Sequence, residues 1–120
     1  MRVILLSRDL MLSSQLAGHV SRFKTELATK ASVAEVVEEL DPSSATLLFV
    51  DLSLPGLNIQ DLRNQLPPSC EVPPRIIAFG PHVHEEKLAA AREAGCDMVL
   101  SRGQFIRGMD QILTQNLTAN

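Results

Sequence analysis

Asp51 ends the apolar run Leu47-Leu48-Phe49-Val50 and is followed by Leu52-Ser53-Leu54-Pro55-Gly56, a loop opener. A lone carboxylate at the mouth of a buried strand marks a candidate site. In an open parallel sheet, ligands bind outside the carboxyl ends of the strands, where the strand order reverses. The residues that follow the other apolar runs therefore bear on Asp51: Ser7-Arg8-Asp9, Ser53, Gly80-Pro81-His82 and Ser101-Arg102-Gly103. One carboxylate and two guanidinium groups, Arg8 and Arg102, are predicted to converge there, while Asp9 is read as the cap of the helix that follows it. His82 and His84 are close together, yet no Cys, third His or well-placed carboxylate completes a tetrahedral metal set, and they are read as solvated loop residues. His19 falls on the polar side of the first predicted helix and is expected to be exposed.

Four short apolar runs must carry these loops: Val3 to Leu6, Leu47 to Val50, Ile76 to Phe79 and Met98 to Leu100. Each is bounded by polar, Gly or Pro positions, the pattern of strands covered on both faces. A fifth, weaker strand is expected at Thr25 to Thr29. The segments between them have helical periodicity, so the alternation predicts parallel strands joined by crossover helices, an α/β layer fold.

The helices are individually legible. Leu12, Leu16, Val20 and Phe23 form one stripe of a helix over about Asp9 to Phe23. Ser32 and Glu35 have capping-box spacing before Val33, Val36, Val37 and Leu40. Asn58 can cap a third helix with Ile59, Leu62 and Leu66 inward, which Pro67-Pro68 would stop. The segment His84 to Ala94 is rich in strong helix formers and ends at Gly95, a residue suited to the left-handed position past a helix end. A single last helix is expected to bury Phe105, Ile106, Met109, Ile112, Leu113 and Leu117 along one face.

At 120 residues the chain has the size of one domain, residues 1–120, and no repeat or composition shift marks a second. Apolar residues make up 45% and charged residues 21%, with a net charge of −3, too small and of the wrong sign for an electrostatic grip on nucleic acid. Proteins are the expected partners. Cys70 and Cys96 are read as free thiols. The start has only four apolar residues before Ser7, far short of a signal peptide or membrane span, so a cytoplasmic setting without membrane attachment is expected.

Over nearly its full length the chain resembles the receiver domain of two-component response regulators, the CheY-like family. The resemblance is carried by Val3-Ile4-Leu5-Leu6, by Leu48-Phe49-Val50-Asp51-Leu52 with Leu54-Pro55-Gly56, and by Ala91-Arg92-Glu93-Ala94-Gly95-Cys96-Asp97. It implies a three-layer, flavodoxin-like (βα)5 sandwich with a five-stranded parallel sheet of order 2-1-3-4-5, and a phosphoacceptor at Asp51. It also implies two magnesium-binding acids after the first strand, a hydroxyl residue after the fourth, and a lysine followed by proline after the fifth. Here those positions hold Ser7 and Arg8, Gly80, and Arg102 and Gly103, with Val99 at the aromatic switch position.

These departures imply weak or absent magnesium binding, since that ion usually takes its charge compensation from carboxylates. Phosphoryl transfer without the metal clamp loses orders of magnitude in rate. The expectation is a degenerate receiver, a pseudo-receiver that is not an enzyme, in which Asp51 pairs with Arg8, Arg102 or both. Such a domain works by presenting a fixed surface to a signalling protein or to a second copy. In the family the fourth helix, fifth strand and fifth helix form that face, which here carries Lys87, Met98, Arg102, Arg107 and Asp110. Two alternatives stand beside it: a working receiver phosphorylated on Asp51, and a sensor that binds an anion or small molecule between Arg8 and Arg102.

Overall fold

The structure, a computed structural model, describes residues 1–66 and 73–117. Five strands form one parallel sheet: β1 (Arg2–Leu6), β2 (Leu27–Lys30), β3 (Thr46–Asp51), β4 (Arg75–Gly80) and β5 (Met98–Ser101), in the order β2-β1-β3-β4-β5. Six helices alternate with them: α1 (Leu10–Ser21), α2 (Val33–Glu39), α3 (Ile59–Gln65), α4 (Glu85–Glu93), α5 (Arg102–Arg107) and α6 (Met109–Leu117). This is the flavodoxin-like sandwich with the order 2-1-3-4-5.

The two-residue period of the strands divides the core into two layers. Ile4, Leu6, Leu48, Val50, Ile76 and Ala78 pack with Val36, Leu62, Leu88 and Ala91 under α2, α3 and α4. Val3, Leu5, Leu47, Phe49, Ile77 and Phe79 pack on the other face with Leu12, Leu16, Phe105, Met109 and Leu113 under α1, α5 and α6. Burying both faces explains why the central strands read as continuous apolar runs. Phe105 anchors α5: its ring stacks on Phe79 with centroids 4.1 Å apart and meets Phe49 at 5.3 Å.

The caps are chemically specific. Asp9 accepts from the Leu12 amide, and Asn58 accepts from the amides of Gln60 and Asp61. Ser32 Oγ accepts from the Glu35 amide, whereas the Glu35 carboxylate reaches the Ala31 amide, one position earlier than the simple reciprocal pair. Gly95 takes φ +83° past the end of α4, as its sequence position requires.

Three sequence expectations are corrected. The last helix is two: it breaks at Gly108, so α5 and α6 run out of phase and Ile106 stays 37% exposed while Phe105 and Met109 are buried. The residues after β5 form no loop, because Ser101 and Gln104 make a capping box that starts α5 at Arg102. His19 is half-buried rather than exposed, since α1 packs on α6 and His19 Nδ1 meets the Asp110 carboxylate there. The Pro67-Pro68 stop and Cys70 lie outside the described residues. No helix among the described residues is long and apolar enough to cross a membrane.

Candidate functional site

The order β2-β1-β3 puts α1 and α3 on opposite faces of neighbouring strands, which opens a crevice at the carboxyl ends of β1 and β3. Ser7 follows β1 and Asp51 ends β3, so both point into that crevice, 2% and 4% exposed. The Ser7 hydroxyl donates to Asp51 Oδ2 at 2.7 Å, and the Ser53 amide donates to Oδ1 at 2.9 Å. Ser7 Oγ in turn accepts from the Asp9 amide at 3.1 Å. A hydroxyl has one proton, so with the Asp9 amide on its lone pair that proton is committed to Asp51.

The pairing expected between Asp51 and an arginine does not form: among the described residues no cation lies within ion-pair distance of Asp51. Arg102 instead pairs with the Asp9 carboxylate, across the carboxyl ends of the strands from the first turn of α5 to the N-cap of α1. The physical reason is reach. Asp9 is partly exposed at the cleft rim, while Asp51 is buried and already bonded at both oxygens. The Leu12 amide and the Arg102 guanidinium together hold the Asp9 carboxyl below the usual carboxylate range. Asp9 is thus both helix cap and counter-ion. The cap is legible as an acid before a helical stripe, but no local signal announces a partner 93 positions away.

Arg8 is exposed and makes no ion pair with Asp51. It lines a separate cleft of about 190 Å³ with Ser32, Val33, Leu54, Pro55 and Leu57. Arg102 is not among the residues that line this cleft. Gly80 is buried at the end of β4, and a Cβ there would sit 3.2 Å from Leu52 Cβ. Leu52 thus fills the space that a side chain at position 80 would need.

Magnesium requires near-octahedral oxygen ligands and uses carboxylates as its protein anchors. The crevice offers one buried carboxylate whose two oxygens already accept protein hydrogen bonds, and Asp9 is committed to the Leu12 amide and Arg102. Among the described residues no group of three or more His, Cys, Asp or Glu side chains is placed to hold a metal. The donor set does not fit the ion.

On the expected partner face, Lys87 and Arg107 are exposed and Met98 is partly buried against the second core layer. Asp110 is already paired. It faces α1, where His19 Nδ1 and Arg22, at 3.2 Å, engage its carboxylate and hold it below its ordinary range. Cys96 is a free thiol, pushed up by burial.

Similar solved structures share this architecture. The receiver domain of the TMAO respiratory system response regulator TorR aligns with a TM-score of 0.78 at 19% identity, over 98% of this chain and 95% of that one. The co-crystal structure of the Saccharomyces cerevisiae phosphotransfer protein Ypd1 with the receiver domain of Ssk1 aligns at 0.78 and 16% identity, over 98% and 89%. The beryllofluoride-activated NtrC4 receiver domain dimer aligns at 0.68 and 13% identity, over 95% and 97%. No protein-family model matches the sequence, and no curated protein matches it. The fold and its crevice at the β1 and β3 ends define an α/β domain of the flavodoxin-like class. More particularly, the chain has the CheY-like fold of response regulator receiver domains.

Proposed function

We propose that this chain is a receiver-like module of two-component, phosphorelay-type signal transduction whose phosphorylation site is degenerate. It acts by protein–protein interaction rather than by magnesium-dependent phosphorylation of Asp51, and it has no catalytic activity of its own. One observation carries this: the Ser7 hydroxyl occupies the Asp51 carboxylate at 2.7 Å, at a position where the receiver pattern has an acid. A neutral hydroxyl brings none of the charge compensation that an acid beside Asp51 would give a dication, and without the metal the developing charge of phosphoryl transfer is left uncompensated. The pairing of Arg102 with Asp9 also removes the cation that would face a phosphoryl group from β5.

The working surface of such a module is fixed. Gly80 has no hydroxyl and Val99 no ring, so phosphate has no moving parts to bias. The face formed by α4, β5 and α5, with Lys87, Arg107 and the edge of Met98, is the proposed contact for a signalling protein or a second copy. Association of a receiver domain with another protein or with a second copy, through whatever face, has precedent in the Ssk1 receiver, co-crystallised with Ypd1, and in the NtrC4 receiver dimer. The setting proposed is cytoplasmic, with no nucleic acid bound by this domain.

Incubation with a small phosphodonor and magnesium, followed by intact-mass analysis, tests the first half. The expected spectrum is that of unmodified protein, and stoichiometric addition of phosphate to Asp51 would overturn the proposal. Crosslinking in cell extract tests the second half. A partner lost on charge reversal of Lys87 and Arg107 is expected, and neither a partner nor self-association would count against it.

A further inference from the structure

We infer that Asp9 and Arg102 form a strap that spans the carboxyl ends of the strands from β1 to β5 and makes Asp9 the positioning residue for Asp51. The contacts are continuous. Arg102, the first residue of α5, donates to the Asp9 carboxylate; the Asp9 amide donates to Ser7 Oγ at 3.1 Å; the Ser7 hydroxyl donates to Asp51 Oδ2 at 2.7 Å. Each link fixes the next. The ion pair and the bond to the Leu12 amide hold both carboxylate oxygens of Asp9, which sets the backbone of residue 9 and aims its amide at Ser7. That amide takes one lone pair of the hydroxyl, whose proton goes to Asp51. At the other end, α5 is held from below by Phe105 in the core and from above by Arg102.

The strap is a conformational device that joins a buried carboxylate to the helix on the proposed contact face. Its components are 31% and 36% exposed, so it is an ion pair of ordinary surface strength and can open without unfolding the domain. While it is closed, the start of α1 and the start of α5 are tied in one arrangement on the same face of the sheet. This deepens the proposal of a fixed contact surface and rests on it for its biological meaning, although the contacts themselves do not depend on whether Asp51 accepts phosphate.

Asp9→Asn tests the strap selectively, because Asn caps helices as well as Asp and keeps the backbone amide while losing the charge. Arg102→Met removes the other end and Arg102→Lys retains a cation. The readouts are hydrogen exchange of the Gln104 amide in α5 and of the Gly108 amide that caps its end, exchange of the Leu12 amide, and the carboxyl carbon shift of Asp51 at fixed pH. Asp9→Asn and Arg102→Met should each speed exchange at Gln104 and Gly108 by about threefold to fivefold, the range of a half-exposed ion pair. Both should move the Asp51 shift in the same direction, the double variant should add nothing further, and Arg102→Lys should restore part of the protection. Leu12 should stay protected in Asp9→Asn, which shows that the helix is intact. Wild-type exchange in α5 together with an unmoved Asp51 shift in Asp9→Asn would overturn the strap. Phosphorylation of the wild type would refute the degenerate site and leave these readouts unchanged, so the two failures are distinguishable.

Discussion

Replacing Ser7 with alanine removes one atom group from the crevice and isolates the interaction on which the site depends. The hydroxyl donates to a carboxylate that is 4% exposed and has the Ser53 amide as its other partner. A hydrogen bond to a charged group contributes about 1.5–3 kcal/mol, and losing it leaves a buried oxygen short of a donor. The Asp9 amide also loses its acceptor, but it lies in a partly exposed turn where water can substitute. A cost of about 2 kcal/mol is expected. With a urea slope of roughly 2 kcal/mol per M for a small domain, the unfolding midpoint should fall by about 1 M. The same change in an Asp51→Asn background should cost about half as much, because a neutral amide makes an ordinary bond of about 1 kcal/mol with Ser7. Equilibrium unfolding followed by circular dichroism gives the full double-mutant cycle. A Ser7→Ala midpoint equal to wild type, or a cost unchanged by Asp51→Asn, would refute the assignment of Ser7 as the partner of Asp51.

Gly80→Thr should lower stability by about 1–3 kcal/mol in chemical denaturation, because its Cβ meets Leu52 Cβ at 3.2 Å in a packed layer. It should not make the chain a phosphoacceptor. Asn58→Ala should cost about 1 kcal/mol by the same assay, since Asn58 accepts from two otherwise orphaned amides of α3. Acid should destabilise the fold in a defined window. Lys30 above all holds the Glu39 carboxyl below its ordinary 4.5, and the Leu12 amide and His19 head the causes that hold Asp9 and Asp110 below 3.8. The folded state therefore binds fewer protons than the unfolded state in that range. Its stabilisation is complete above those ordinary values and is lost as pH falls through the depressed ones. Glu39→Gln should flatten this acid limb in melting temperatures measured from neutral pH downward, and an unchanged limb would contradict the role of the Arg2–Glu39–Lys30 cluster.

Elements that bury both faces were the most legible in sequence, because every residue of the run must be apolar. The run Leu47 to Val50 is the clearest case, and β3 adds only the buried Thr46 and Asp51 at its ends. The edge strand is harder. β2 begins at Leu27 rather than Thr25, since a half-buried strand has little apolar pattern and Lys24, at φ +57°, turns the chain just before it. The single last helix misled for a related reason: period alone continues through Gly108, whereas the backbone breaks there and shifts the phase that would have buried Ile106.

The crevice was legible as a position and not as a bonding pattern. Topology brings Ser7 and Asp51 together because β1 and β3 are neighbours. Which cation meets which acid depends on side-chain reach and burial between distant segments, and formal charges along the chain do not encode that. Arg102 and Asp51 carry the most suggestive types, yet the exposed Asp9 wins the guanidinium.

The most direct test of the account is a titration of manganese, a paramagnetic substitute for magnesium, into isotopically labelled protein, with the amides of Asp51, Leu52 and Ser53 observed by nuclear magnetic resonance. With the carboxylate committed to Ser7 and the Ser53 amide, these signals should keep their linewidths at ion concentrations that fill an ordinary paired-carboxylate site. Selective, saturable broadening of the same three amides would mean that a divalent ion sits beside Asp51, and would contradict it.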